Sequence, residues 1–264
     1  VIAWAAPMAT DNCGSVAVTQ NGGPAPGTAL GVGNIQTISY TANDNGGNNA
    51  TCTFTVTVVD AELPIINCPT VPVTFGTNLG NCSYTISGTG FNAIASDNCG
   101  LKAGASGLSY SATGAYNGSG SQLNAIVLPL GSTSITWKAT DVNNNTKTCV
   151  MTINVVDDDA PVISVCPPNQ TMLTSSNGLG DCAGAVPNFI GALVANDNCT
   201  SFANLNKIQS PAAGSTFSGN HGDSKVVVMT VIDAAGNSSF CTAVVTIVDD
   251  ENPIYVNCPD TIIL

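Results

Sequence analysis

The sequence predicts an all-β chain of tandem immunoglobulin-like antiparallel β-sandwich repeats, arranged as an extended rod. Three observations carry that prediction. Short runs alternate apolar and polar residues, as in Thr51-Cys-Thr-Phe-Thr-Val-Thr-Val58, where Cys52, Phe54, Val56 and Val58 share one face and Thr fills the other. No stretch sustains a 3.6-residue period with caps, and 27 Gly and 14 Pro punctuate the chain throughout. A set of landmarks also recurs at about one sandwich length. Cys-Pro stands at 68, 166 and 258, so 98 and then 92 residues separate successive copies.

Those landmarks divide the 264 residues into a truncated repeat (1–60), two complete repeats (61–157 and 158–249) and the start of a further one (250–264). On that division the sequence begins and ends within a repeat and is expected to be part of something longer. The opening Val1-Ile-Ala-Trp-Ala-Ala-Pro-Met-Ala9 imitates a signal peptide but lacks a basic start and is too short to span a bilayer. Register decides its place: Ala9-Thr-Asp-Asn-Cys13 aligns with Ala95-Ser-Asp-Asn-Cys99 and Ala195-Asn-Asp-Asn-Cys199.

Within each unit the penultimate strand comes next: Ile38–Ala42, Ile135–Ala139 and Val227–Val231. Each has a bulky residue at the same inward slot (Tyr40, Trp137, Met229), read as core packing. Asp44-Asn-Gly-Gly-Asn48 and Asp233-Ala-Ala-Gly-Asn237 follow as hairpin turns, with Gly or Asn for positive φ. The closing strands, Cys52–Asp60, Cys149–Asp157 and Cys241–Asp249, each lead into a short acidic joint that contains Pro, which restricts bending.

Composition narrows the function. With no Arg, five Lys and a net charge of −12, the chain lacks the basic footprint that nucleic acid or an anionic membrane surface requires, whereas cations remain plausible partners. No transmembrane segment is evident. Eleven Cys at regular single positions, no C-x2-C pair and one His argue for disulfides in an oxidising, extracellular compartment over zinc or iron–sulfur sites.

The landmarks in order are Cys-Pro, Leu-Gly-(Asn/Asp)-Cys, Asp-Asn-Cys, a strand ending Ala-Thr-Asp, a Gly-Asn turn, and Cys-x-x-x-Val-x-Val-x-Asp. The best local match runs from Thr230 through Cys241 to Asp249. The chain resembles the hyalin repeat (HYR) domain family along essentially its whole length, and its four-Cys form resembles tandem arrays in very large bacterial surface adhesins. That resemblance implies an immunoglobulin-like fold and an extracellular adhesive or structural role. Asn143-Asn-Asn145, without the turn Gly, and Phe217–Ser224 depart from the pattern.

Cys13 and Cys52 stand alone in the first unit and are expected to pair, which makes Cys99–Cys149 and Cys199–Cys241 the equivalents. Cys68–Cys82 and Cys166–Cys182 follow, with Cys258 bonded beyond the end. A rival scheme across the joints, Cys52–Cys68, Cys149–Cys166 and Cys241–Cys258, is disfavoured. The chain would have to double back over a full closing strand to bring the Cα atoms within about 7 Å.

The candidate site is acidic. In an immunoglobulin-like unit the start of the first strand and two loops meet at one end. That gathers Asp60, Glu62, Asp97, Asn98 and Asp141 at one joint, and Asp157, Asp158, Asp159, Asp197, Asn198 and Asp233 at the next. Converging hard oxygen ligands suit Ca²⁺; the alternative is that these residues cap turns and hydrate an exposed link. Catalysis has little support. His221 sits in a polar loop, and Asn117-Gly-Ser-Gly120 lacks the Lys-Ser/Thr of a phosphate loop.

The function read from the sequence is therefore a non-enzymatic extracellular structural or adhesive repeat protein, part of a surface filament or stalk. Its partners would be neighbouring repeats, other copies in a filament, or a surface ligand. The alternative is a carbohydrate- or protein-binding module that uses the variable loops of individual repeats, Gly104–Gly120 or Phe202–Ser224. Seven Asn-x-Ser/Thr matches, including Asn49, Asn117 and Asn237, are candidate glycosylation positions.

Overall fold

A computed structural model describes residues 1–70 and 73–255. Three groups of strands follow one another along the chain. The first is a single antiparallel sheet of β1 (Val16–Gly22), β2 (Ile35–Asp44) and β3 (Asn49–Thr57), in that order. Ile38 and Tyr40 are buried on it. Trp4, from the preceding segment, covers it by packing edge-on to Phe54 and donating its indole N–H to the Tyr40 hydroxyl at 2.9 Å.

The second group comprises β4 (Ile65–Asn67), β5 (Val73–Gly76), β6 (Ser83–Thr85), β7 (Ile94–Ser96), β8 (Leu108–Gly114), β9 (Gly118–Gly120), β10 (Val127–Pro129), β11 (Gly131–Thr140) and β12 (Thr146–Val156). Its main sheet runs β5-β12-β11-β8-β9, and β4–β7 and β10–β6 form the opposing pairs. The third group repeats the plan with β13 (Val162–Val165), β14 (Gln170–Leu173), β15 (Ala183–Ala185), β16 (Val194–Asn196), β17 (Asn206–Ser210), β18 (Thr216–Ser218), β19 (Ser224–Ile232) and β20 (Ser238–Val248). Here the main sheet is β14-β20-β19-β17, opposed by β13–β16 and β15–β18. The fold is all-β, with immunoglobulin-like sandwiches as expected. Among the described residues no helix is long and apolar enough to cross a membrane.

Alternation dictates the packing. On β11 and β19 the inward residues Ile135, Trp137, Ala139, Val227 and Met229 are all fully buried, while Lys138 between Trp137 and Ala139 stays at the surface. Each such Ile or Met contributes roughly 1.5–3 kcal/mol by leaving water. Two separate cores result. One runs from Ile66 to Val155 and is centred on Trp137 and Tyr110, whose ring centroids lie 5.4 Å apart; the other runs from Met172 to Ile247 around Phe189 and Met229. The segment Gly104–Gly120 is largely sheet, not loop: β8 and β9 pair through Tyr110 and Gly120.

The cysteine pairing expected from the sequence is corrected. The bonds are Cys68–Cys149, Cys166–Cys241 and Cys82–Cys199, and Cys13, Cys52, Cys99 and Cys182 are exposed thiols. Of the expected pairs, Cys13–Cys52, Cys99–Cys149, Cys199–Cys241, Cys68–Cys82 and Cys166–Cys182 do not form; nor do Cys52–Cys68 and Cys149–Cys166 of the rival scheme. Cys258 lies outside the described residues.

The physical reason is a sheet switch. After β4 pairs antiparallel with β7, the chain crosses to the main sheet, where β5 runs parallel to β12 from Ile153↔Val73 to Val156↔Gly76. Cys68-Pro69 stands at that crossing, beside the closing strand, and Cys149 meets it there. The third unit does the same, with β14 parallel to β20 and Cys166 bonded to Cys241.

Candidate metal centre at the acidic joints

Three local devices build each joint. The first is the turn between the last two strands of a unit. Asp141 accepts the Asn143 and Asn145 amides at 2.8 Å on Oδ1 and the Asn145 side chain at 2.7 Å on Oδ2. Asp233 accepts the Gly236 and Asn237 amides and the Asn237 side chain in the same way, and Asp44 holds Asn48. The fourth turn residue needs a left-handed backbone. Gly47 (φ 85°) and Gly236 (φ 98°) supply it, and Asn144 (φ 77°) replaces the missing Gly in the middle unit. Burial would raise the Asp141 carboxyl, but the hydrogen bonds from Asn145 and the Asn143 and Asn144 amides outweigh it and hold that group below its ordinary range.

The second device is the Asp-Asn-Cys turn. Asp97 Oδ1 accepts the Cys99 and Gly100 amides, and Asp197 Oδ2 accepts the Cys199 and Thr200 amides at 2.9 and 2.7 Å. The third is the joint itself. Asp60, Asp157 and Asp249 each accept, on Oδ1, the amide two residues on, from Glu62, Asp159 and Glu251. The turn Asn ties the devices together: Asn145 Nδ2 also donates to the Asp60 carbonyl, and Asn237 Nδ2 to the Asp157 carbonyl, both at 3.1 Å.

The two joints then diverge. At residues 157–159, Asp157, Asp197 and Asp233 bring one carboxylate oxygen each within 4.8 Å of one another. Asp157 is buried to 9% exposure, and Asp157 Oδ2, Asp197 Oδ1 and Asn198 Oδ1 are buried atoms with no hydrogen-bond partner. Burial, together with repulsion from Asp197, Asp233 and Asp159, pushes the Asp157 carboxyl above its ordinary range, although the Asp159 amide opposes this.

At residues 60–62 the close group is Asp60, Asp97 and Cys99. Asp141 stays in its turn. Asp60 Oδ2 is taken by Asn143 Nδ2 at 3.0 Å, and Asn98 Nδ2 is given to the Glu62 carboxylate. Position 143 corresponds to Ala235 in the third unit, which has no side-chain amide to give and lines an open cleft beside Asp157.

The remaining sequence candidates take other roles. Asp158 is exposed and rests on Gly76, where a Cβ would overlap its carboxylate. Asp159 Oδ2 accepts Asn198 Nδ2 at 2.9 Å, and the same amide reaches Thr77 Oγ1 and the Asn81 carbonyl. Sequence reasoning missed Asn143, Asn145, Asn237 and Thr77. An Asn at the end of all three aligned turns (48, 145, 237) was the available signal. His221 Nδ1 accepts the Asp249 amide at 3.1 Å, a structural contact at the next joint. Asn237, one of the glycosylation candidates, has its amide committed to the joint.

The donor set at 157–159 fits a hard divalent cation, because every atom is a carboxylate or amide oxygen and three of them lack any other partner. The set at 60–62 fits it poorly, since it offers a thiol and an already satisfied carboxylate.

Residues 1–58 match the family model described as "HYR domain". Hyalin of Lytechinus variegatus is 32% identical over 270 residues, covering 100% of this chain and 46% of that protein. Both findings support the HYR family. Hyalin of Strongylocentrotus purpuratus is 29% identical over 256 residues, covering 90% of this chain and 18% of that protein. The chain thus spans less than half the length of these hyalins. Among solved structures, mouse cadherin-23 EC22–24 aligns at 15% identity and a TM-score of 0.35, covering 81% of this chain and 75% of that one, a likeness too loose to carry an argument. None of these names is that of an enzyme.

Proposed function

We propose that the chain is a run of tandem HYR units (1–60, 61–157, 158–249 and the start of another at 250–264) in an extracellular, non-enzymatic adhesive protein, and that Ca²⁺ stiffens the joint at 157–159. The observation that carries the cation is the trio of buried, unpartnered oxygens on Asp157, Asp197 and Asn198, set among three carboxylates at one crossing. Leaving such groups unsatisfied costs about 1–3 kcal/mol each, more when charged, and a divalent ion removes that cost for all of them at once. Asp157, Asp197, Asn198 and Asp233 would hold it, with Asn237 positioning Asp233. The ion supplies positive charge that binds the end of one unit to the loops of the next.

Joints of a few residues containing Pro64 and Pro161 support an extended rod, with neighbouring units as the main partners and lateral association of copies as a filament. The hyalin relatives and the three disulfides support an extracellular setting. Thermal melting of the 264-residue chain with Ca²⁺ and with chelator tests the reading. At Ca²⁺ about a hundredfold above Kd, linkage gives about 2.7 kcal/mol. For a unit of this size that is a rise in Tm on the order of 10 °C. Superimposable curves with no heat of binding by calorimetry would remove the cation.

A further inference from the structure

The Cys82–Cys199 bond is unlike the other two, because it leaves the sandwich of Cys82 and ends in the next one. Its Cα atoms are 4.8 Å apart across 117 residues of sequence. It closes over the same crossing at which Asn198 donates to Thr77 and to the Asn81 carbonyl. Each half has an equivalent elsewhere in the chain. Cys82 ends Leu79-Gly-Asn-Cys82 immediately before β6, and Cys182 ends Leu179-Gly-Asp-Cys182 immediately before β15. Those two strands are held alike, β6 against β10 and β15 against β18, both antiparallel. Cys199 stands in an Asp-Asn-Cys turn, and Cys99 and Cys13 stand in the same turn, with Asp97 and Asp11 each accepting the cysteine amide at 2.8 Å. Cys182, Cys99 and Cys13 are all exposed thiols.

We infer that Cys182 on one side, and Cys99 and Cys13 on the other, are half-sites of the same inter-unit staple. Each unit gives its Leu-Gly-(Asn/Asp)-Cys sulfur to the Asp-Asn-Cys sulfur of the unit that follows. The inference rests on the tandem-unit reading above. The partner is another unit of this kind, supplied by a second copy of this chain. Formation consumes one small disulfide oxidant such as glutathione disulfide. The Cys182 thiolate attacks it and releases one glutathione thiolate. The thiolate of an Asp-Asn-Cys cysteine then attacks the Cys182 sulfur of the mixed disulfide and releases the second. Two protein thiols are oxidised, one glutathione disulfide is reduced to two thiols, and the two protein protons pass to the leaving thiolates.

The test uses the 264-residue chain carrying Cys52→Ser and Cys258→Ser, in a glutathione redox buffer, read by non-reducing electrophoresis and peptide mapping. The expected result is a ladder of chain multiples whose cross-linked peptides join Cys182 to Cys13 or Cys99, lost in Cys182→Ser. A monomer with an alkylatable Cys182 while Cys82–Cys199 is intact, or multimers joined Cys182 to Cys182, overturns the inference and leaves the tandem reading standing. Absence of Cys82–Cys199 from the map overturns the inference as well.

Discussion

The joints at 60–62 and 157–159 are built from the same parts, yet among the described residues only the second is left with buried, unpartnered oxygens. At both, a turn Asn donates to the turn Asp and to the joint carbonyl, and an Asp-Asn-Cys turn faces the joint Asp. One of the side chains that separate them stands at position 143. Asn143 satisfies Asp60 Oδ2, whereas Ala235 leaves Asp157 Oδ2 buried and without a partner. The Asn143 amide is thus one of the contacts that leave the first crossing satisfied as folded, beside the Cys99 thiol and an Asp141 held in its own turn. On the proposed reading, units with one fold differ in their need for an ion without changing a strand.

The largest expected effect breaks the proposed cation site at 157–159 outright. Asp157→Asn should abolish the Ca²⁺-induced rise in Tm, on the order of 10 °C. In chelator it should melt above the unaltered chain, because it removes one of three crowded charges. Ala235→Asn should convert this joint toward the self-satisfied kind by giving Asp157 Oδ2 a donor; titration calorimetry is expected to read a Ca²⁺ affinity weaker by about tenfold.

The reverse exchange, Asn143→Ala, should cost roughly 1 kcal/mol by deleting the hydrogen bond to Asp60. It should add no Ca²⁺ response if Cys99 and the missing third carboxylate disqualify the first joint; a new Ca²⁺-dependent transition would show that the one amide is the whole difference.

The smallest effect is on pH dependence. The raised Asp157 carboxyl contributes stability while protonated, below the ordinary Asp range, and loses it as pH rises through its elevated pKa. In chelator, the melting deficit of the unaltered chain relative to Asp157→Asn should therefore widen from acid to neutral pH, and Ca²⁺ should reverse it. Asp44, held low by Asn48, has the opposite sign: its contribution is present above the ordinary range and lost as pH falls.

Strands and core were legible in the sequence because alternation reports burial directly. Tyr40, Trp137 and Met229 are buried at the inward slot. The acidic convergence was legible too, through the landmarks on which Asp157, Asp197 and Asp233 sit. Disulfide connectivity was not, because loop length says nothing about a strand that changes sheets between Cys68 and Val73. The contrast between joints was written at positions 143 and 235, but an Asn in an Asn-rich turn looks like hydration until its amide is seen on Asp60.

The parallel pairing of the strand after Cys68 with the closing strand has a mechanical consequence. A pull along the chain enters the middle unit near Cys68 and leaves near Cys149, two residues already joined through sulfur across 81 positions. Tension then bypasses the Trp137 core, and only the short ends outside the bridge can lengthen. At about 3.3–3.6 Å per residue, the bypassed segment would otherwise pay out roughly 270–290 Å of slack. Oxidation sets how far such a unit stretches; the core sets only how well the slack is stored.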